Sequence, residues 1–148
     1  MQSEAIRKII EDECEDYFLG FADLSQEKEN IDENYKSLVC IYPRAISIGI
    51  TLPYKITDVP DYVNNEFYHI TNQKLNSITS CLSGSLEDEG YRALALPNDG
   101  SINDGIFVSL HNLAASRADL GMIKNNTIIT PEVGQRVNWG TVITDAPL

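Results

Sequence analysis

H-N-L-A-A-S-R-A-D-L-G-M-I-K-N-N, from His111 to Asn126, is the stretch on which the reading of this chain turns. Alanine is the strongest helix former, so residues 108–120 are expected to be helical, with Gly121 where a left-handed C-cap belongs. Ala114, Ala115, Ala118 and Gly121 place small groups where a helix could approach another backbone, or a flat ligand, closely. The asparagine-rich segment 122–126 reads as a short loop, because Asn tolerates positive φ and bonds its own backbone. Residues 127–130 and 140–144 are β-branched and read as strands around a Pro-Glu-Val-Gly turn. The pattern is helix, glycine loop, strand, turn, strand, and it names no ligand.

Upstream, residues 2–18 set Ile6, Ile9, Ile10, Cys14, Tyr17 and Phe18 at three-and-four spacing among acids, which predicts an amphipathic helix. Residues 20–24 read as a short strand and 25–34 as a polar loop. K-S-L-V-C-I-Y (36–42) and A-I-S-I-G-I-T-L (45–52) read as strands, the first apolar enough for a sheet centre covered on both faces. Pro43-Arg44 between them suggests a bulge or bend. After a loop at 53–60, residues 61–89 predict one long helix that Gly90 follows. Phe67, Ile70, Leu75, Ile78, Cys81, Leu82 and Leu86 fall on one side of it. His69, Asn72, Gln73, Asn76, Ser80 and Ser83 form an uncharged polar stripe opposite, either plainly exposed or bonded to a neighbouring subunit or a ligand's amides. Residues 91–96 read as a strand and 97–104 as a loop. Several strands follow one another without intervening helices, so an α+β sandwich is expected, with a mixed, largely antiparallel sheet flanked by helices.

The 148 residues are expected to form one domain, 1–148, with hydrophobic content of 43% and mean hydropathy of −0.20 typical of a soluble globule. The formal charge of −11 argues against nonspecific binding to nucleic acid or anionic membrane. Residues 1–33 hold 11 acids and 3 bases, and so carry −8 of it, whereas 107–148 hold three of each and are neutral. The acidity reads as a solvated helix face, or else a docking patch for a basic partner. Cys14, Cys40 and Cys81 form no C-x-x-C pair and read as reduced core residues of a cytoplasmic protein. No basic-then-apolar signal segment and no membrane-length apolar run is present.

Three blocks in order carry a family resemblance. A-D-L-G-M-I-K-N-N (118–126) resembles the A-G-L-G-W-I-G-K-N of the epoxyqueuosine reductase-like iron–sulfur proteins, a group related to the cobalamin-dependent reductive dehalogenases. S-L-H-N-L-A-A (109–115) resembles their S-H-K-x-A-A, and G-T-V-I-T-D-A-P-L (140–148) their G-x-(V/L)-(L/V)-T-D-x-P-L. Tyr68-His69, Asn72-Gln73 and Leu75-Asn76 resemble the family's first long helix, and G-Y-R-A-L-A-L-P its G-Y-x-A-x-x-L-P. The resemblance implies a nitroreductase-like fold, a cobalamin cofactor, and an acidic proton donor in the loop before the alanine helix, where Asp104 stands. Cofactor contacts would fall on His111, Ala114, Ala115, Ala118, Gly121, Asn126 and Thr144, since a corrin is broad and ringed with amides. Two departures are Met122 for the aromatic and Lys124 for the second glycine.

The family's two four-cysteine cluster motifs, which follow T-D-x-P-L, are not among these residues, so no iron–sulfur cluster is expected in this chain. Either a separate ferredoxin-like protein donates electrons, or the sequence is an incomplete piece, or the protein is a non-redox module for self-association or partner docking. No metal site is expected, because His69 and His111 lack ligand spacing, and no P-loop, nucleophile elbow or dinucleotide fingerprint is legible. Residue by residue, bland readings stay open. Asp104 could cap a helix or turn, His111 could be a partly exposed polar residue, and Arg117 a surface ion pair. Trp139 could be core or a stacking platform, and Thr144-Asp145 could bind an amide or simply end a strand. A flavin enzyme is a weaker option resting on fold analogy alone.

Overall fold

The structure, a computed structural model, describes residues 2–27, 31, 33–53, 58–97, 108–125 and 127–148. Four strands form one sheet in the order β1-β2-β6-β3: β1 (Tyr17–Asp23), β2 (Arg44–Thr51), β3 (Ala93–Ala95) and β6 (Val137–Thr144). Every pairing in it is antiparallel, so the expected mixed component is absent among the described strands. The sheet lies between two helical layers. α1 (Ser3–Glu11) and α3 (Asp61–Asp88) cover one face, where Ile46, Ile48, Ile50 and Val142 meet Ile6, Ile10, Leu75, Ile78, Leu82 and Leu86. On the other face α2 (Glu33–Ile41) and α4 (Val108–Arg117) pack, through Val39, Leu110, Leu113 and Ala114, on Ala22, Ala45 and Ile143. A separate hairpin of β4 (Met122–Lys124) and β5 (Thr127–Ile129) follows α4, with Ile128 buried beside Ala115, Val137 and Trp139. The α+β sandwich with helices flanking an antiparallel sheet is therefore as expected.

Several elements differ from the sequence reading. Residues 36–42 belong to helix α2, not to a strand. Tyr35, Leu38, Val39 and Tyr42 are the residues that pack inward, and their spacing is helical, while Cys40 and Ile41 are exposed. α1 ends at Glu11 rather than near 18, and Tyr17 and Phe18 open β1. The run D-E-C-E-D would place four acids against the negative end of the helix dipole, which shortens the helix.

α3 is the long helix expected, closed by a Schellman motif in which Gly90 (φ 95°) takes the left-handed position and Tyr91 N–H bonds Leu86 O at 3.1 Å. Its buried face is rotated from the expected one in the N-terminal half, where Ile70 is 44% exposed while Asn64, Tyr68, Thr71 and Asn72 are buried; further along, Cys81 is exposed as well. α4 ends in the same motif, but the left-handed residue is Asp119 (φ 62°), not Gly121. Leu120 N–H bonds Ala115 O and Asp119 N–H bonds Ser116 O. Gly121 is required for a different reason: a Cβ there would stand 2.6 Å from Ile128 Cγ2 and 2.8 Å from Ile129 O. Residues 122–124, expected as loop, are strand β4, and β6 begins three residues before the expected start. Cys40 and Cys81 are exposed rather than core, and only Cys14 is half-buried. No helix among the described residues is long and apolar enough to cross a membrane.

Candidate functional site

A row of small residues runs across the sheet beneath α4. Gly20 on β1 pairs with Ser47 on β2, and Ser47 pairs with Thr141 on β6. α4 lies down on this row because nothing large stands in it. A Cβ on Gly20 would come within 2.8 Å of Ala118 Cβ, and at the other end His111 reaches down to Thr141. Ala114 and Ala115 are fully buried, the first among Leu24, Leu96, Leu113 and Ile143, the second against Ile128 and Trp139. These alanines set the helix-to-sheet distance and present no open shelf. Ala118 and Gly121, half-buried at the end of α4, are the members of that set a ligand could reach. Trp139 packs in the core, its ring 5.9 Å from that of Phe18 across Gly49.

His111 is buried at 7% exposure, with Nδ1 2.8 Å from Thr141 Oγ1 and Nε2 3.1 Å from the carbonyl of Pro97. A carbonyl only accepts, so Nε2 carries the proton, and in the neutral ring Nδ1 accepts the threonine hydroxyl. The imidazole thus ties β6, α4 and the end of β3 together instead of pointing to a ligand. Ser47 Oγ, in the same row, is buried and has no hydrogen-bond partner among the described residues. Asp104 and Asn126 lie outside the described residues.

Thr144 and Asp145 build a clasp. Thr144 Oγ1 donates to Arg92 O at 2.6 Å and accepts from Ala146 N–H, while Asp145 Oδ1 accepts from Arg92 N–H at 2.8 Å. Arg44 Nη1 donates to the carbonyls of Asp145 and Ala146. The T-D-A-P-L block therefore fastens the chain after β6 to the entry of β3, and Thr144 is fully buried in that role. Arg117 forms the surface ion pair its bland reading anticipated, Nε 2.7 Å from Glu27 Oε1.

β3 pairs with β6 only from 142 to 144, so residues 137–140 of β6 have no strand beyond them among the described residues. At this edge, on the face opposite α4, lies a polar cluster that sequence periodicity did not reveal. Asn138 Nδ2 donates to Thr71 Oγ1 and to Asn72 Oδ1, both at 2.7 Å. Thr71 Oγ1 lies 3.0 Å from the carbonyl of Phe67 and 3.1 Å from that of Tyr68, so its own proton is directed to the helix backbone. Asn138 and Asn72 are 8% and 6% exposed. Arg136 Nε, two residues upstream of Asn138, is buried without a partner. The available signal was the uncharged stripe of the long helix, to which Asn72 belongs. Among the described residues no cluster of three His, Cys, Asp or Glu is placed to hold a metal ion.

Solved structures share this architecture. The chain superposes on epoxyqueuosine reductase from Bacillus subtilis with a TM-score of 0.59 and 19% identity, over 98% of this chain and 45% of that one. The chain has the fold of an epoxyqueuosine reductase. The same holds for the enzyme from Streptococcus thermophilus (TM-score 0.61, 17% identity, 100% of this chain and 47% of that one). A catabolic reductive dehalogenase matches at a TM-score of 0.72 and 19% identity, over 98% of this chain and 21% of that one. The chain spans less than half the length of each of these proteins. No protein-family model and no curated protein matches it. For an amide-rimmed planar cofactor of the kind the resemblance implies, the residues at the β6 edge fit in part. Ala114, Ala115, His111 and Thr144 are consumed by the fold, whereas Arg136 Nε, a buried donor beside β6 without a partner among the described residues, is of the kind such a rim would bond.

Proposed function

We propose that this chain is a cobalamin-binding redox domain of the epoxyqueuosine reductase and reductive dehalogenase type, built on a nitroreductase-like sandwich and supplied with electrons by a 4Fe-4S donor, either a separate ferredoxin-like protein or a part of the same protein outside these residues. The observation that carries this reading is the match of nearly the whole chain to both kinds of reductase at TM-scores of 0.59 to 0.72. The cofactor, when bound, supplies the electron-rich metal at which a substrate is reduced. The chain's own residues do the rest. The His111–Pro97 bond holds Pro97, α4 begins at Val108, and Asp104 lies between them in the sequence. The B. subtilis enzyme has a catalytic aspartate loop, seen swung out of the active site. Asp104 in such a loop would deliver the proton that accompanies reduction.

One epoxyqueuosine reductase has been solved with an epoxyqueuosine-modified tRNA stem loop. The −8 charge over residues 1–33 of this chain favours a small substrate over a polyanion. Hydroxocobalamin titrated into the purified chain should give a saturable change in its visible spectrum. No change at high cobalamin overturns the reading. A second reading, a non-catalytic homolog used for self-association or partner docking, is favoured by the burial of Ala114, Ala115 and Thr144, and it predicts that null result.

A further inference from the structure

Donor logic fixes the orientation of the Asn72–Asn138 pair. Thr71 gives its hydroxyl proton to the carbonyls of Phe67 and Tyr68, so it can only accept from Asn138, which must present its NH2 group there. The second proton of that NH2 goes to Asn72, which must therefore present its oxygen. Two amide ends are left over: Asn138 Oδ1, an acceptor, and Asn72 Nδ2, a donor with two protons. Among the described residues neither has a hydrogen-bond partner, and each keeps some contact with solvent although the residues are only 6% and 8% exposed. Both ends are therefore reachable from outside, where a group that offers one acceptor and one donor completes the pair.

We propose that Asn72 and Asn138 form a receptor for a primary carboxamide carried by this domain's ligand. A carboxamide is itself one acceptor and one two-proton donor, the complement of what the pair leaves open. A carboxylate would leave Asn138 Oδ1 facing another acceptor, and an ammonium would leave Asn72 Nδ2 facing another donor. The site lies where, among the described residues, β6 has no strand beyond it, on the α3 side. The identity of the ligand rests on the function proposed above, whereas the chemistry of the pair does not.

The test uses the full chain labelled with 15N, following the side-chain NH2 signals of Asn72, assigned by their loss in Asn72→Asp. That variant keeps the oxygen Asn138 needs and replaces the outward donor with a charged acceptor. Propionamide should shift the Asn72 signals saturably, and methyl propionate, whose carbonyl can accept from Asn72 but which has no proton to give Asn138 Oδ1, should shift them only at much higher concentration. Asn72→Asp should weaken hydroxocobalamin binding roughly tenfold, the equivalent of one lost hydrogen bond in a buried site. If propionamide leaves the signals unmoved, or the ester moves them equally, water alone completes the pair and the proposal fails, even where the wild type binds cobalamin. If propionamide binds and hydroxocobalamin does not, the receptor stands and the function proposed above falls.

Discussion

His111 Nδ1 stands 2.8 Å from Thr141 Oγ1, and this bond joins a buried polar side chain of α4 to the middle of β6. With Nε2 held by the Pro97 carbonyl, both ring nitrogens are engaged in holding three elements together. Thr141→Val keeps the shape and removes the donor. We expect a loss of about 1–3 kcal/mol in urea unfolding, the cost of an unmade bond at a buried nitrogen. An unchanged midpoint would show that the bond carries no stability.

Close approach of α4 to β1 depends on Gly20 and Ala118. Gly20→Ala would force two β-carbons to 2.8 Å and should destabilise by about 1–3 kcal/mol through overpacking. Ala118→Gly in the same chain relieves the carbon contact, although the Ala118 carbonyl at 3.0 Å remains. A double-mutant cycle should thus give a partial recovery, and strictly additive losses would rule out the contact as the cause.

Asp119 holds a left-handed conformation at φ 62° and is exposed at the end of α4. Asp119→Gly removes the β-carbon penalty there, partly offset by a more flexible unfolded chain, for a net gain of about 0.5–1 kcal/mol. Thermal unfolding should show the midpoint rise. A fall would mean that the Asp side chain stabilises this turn.

The three thiols should react in a set order. Cys40 and Cys81 are exposed, whereas burial pushes the Cys14 thiol above its ordinary value, an effect only partly offset by Lys74. Iodoacetamide should modify Cys40 and Cys81 first and Cys14 last, as peptide mass spectrometry would read. Because the folded Cys14 pKa lies above the unfolded one, its contribution is complete below the unfolded value of 9.0 and is lost as pH rises toward the folded value. Stability should therefore decline from about pH 9 upward, and a Cys14→Ala chain should decline less.

The lower end of the pH range has its own marker. Hydrogen bonds from Ser25 hold the Asp23 carboxyl below the usual carboxylate value. A lowered folded pKa stabilises above the unfolded value and is lost as pH falls through the folded one. Asp23→Asn should flatten the acid limb of the stability curve slightly. An acid limb identical to wild type would remove this turn from the account.

The sequence by itself determined the elements whose pattern agrees with their surroundings. The long helix with Gly90 beyond it, the strand at 44–51 and the helix at the alanines were legible because composition, period and end signals pointed the same way. The run 36–42 was not, since a helix with one apolar side and a wholly buried strand share a composition at that length, and only packing against Leu24 and Ile143 decided between them. The site divided along the same line. The importance of residues 108–121 showed in the alphabet, but alanines suit a flat ligand and a close sheet equally well, and the tertiary structure chose the sheet. Asn72 and Asn138 lie 66 residues apart, so no local pattern could couple them. Only the docking of α3 on β6 brings the two amides together, since hydrogen-bond complementarity depends on direction in space and not on order along the chain.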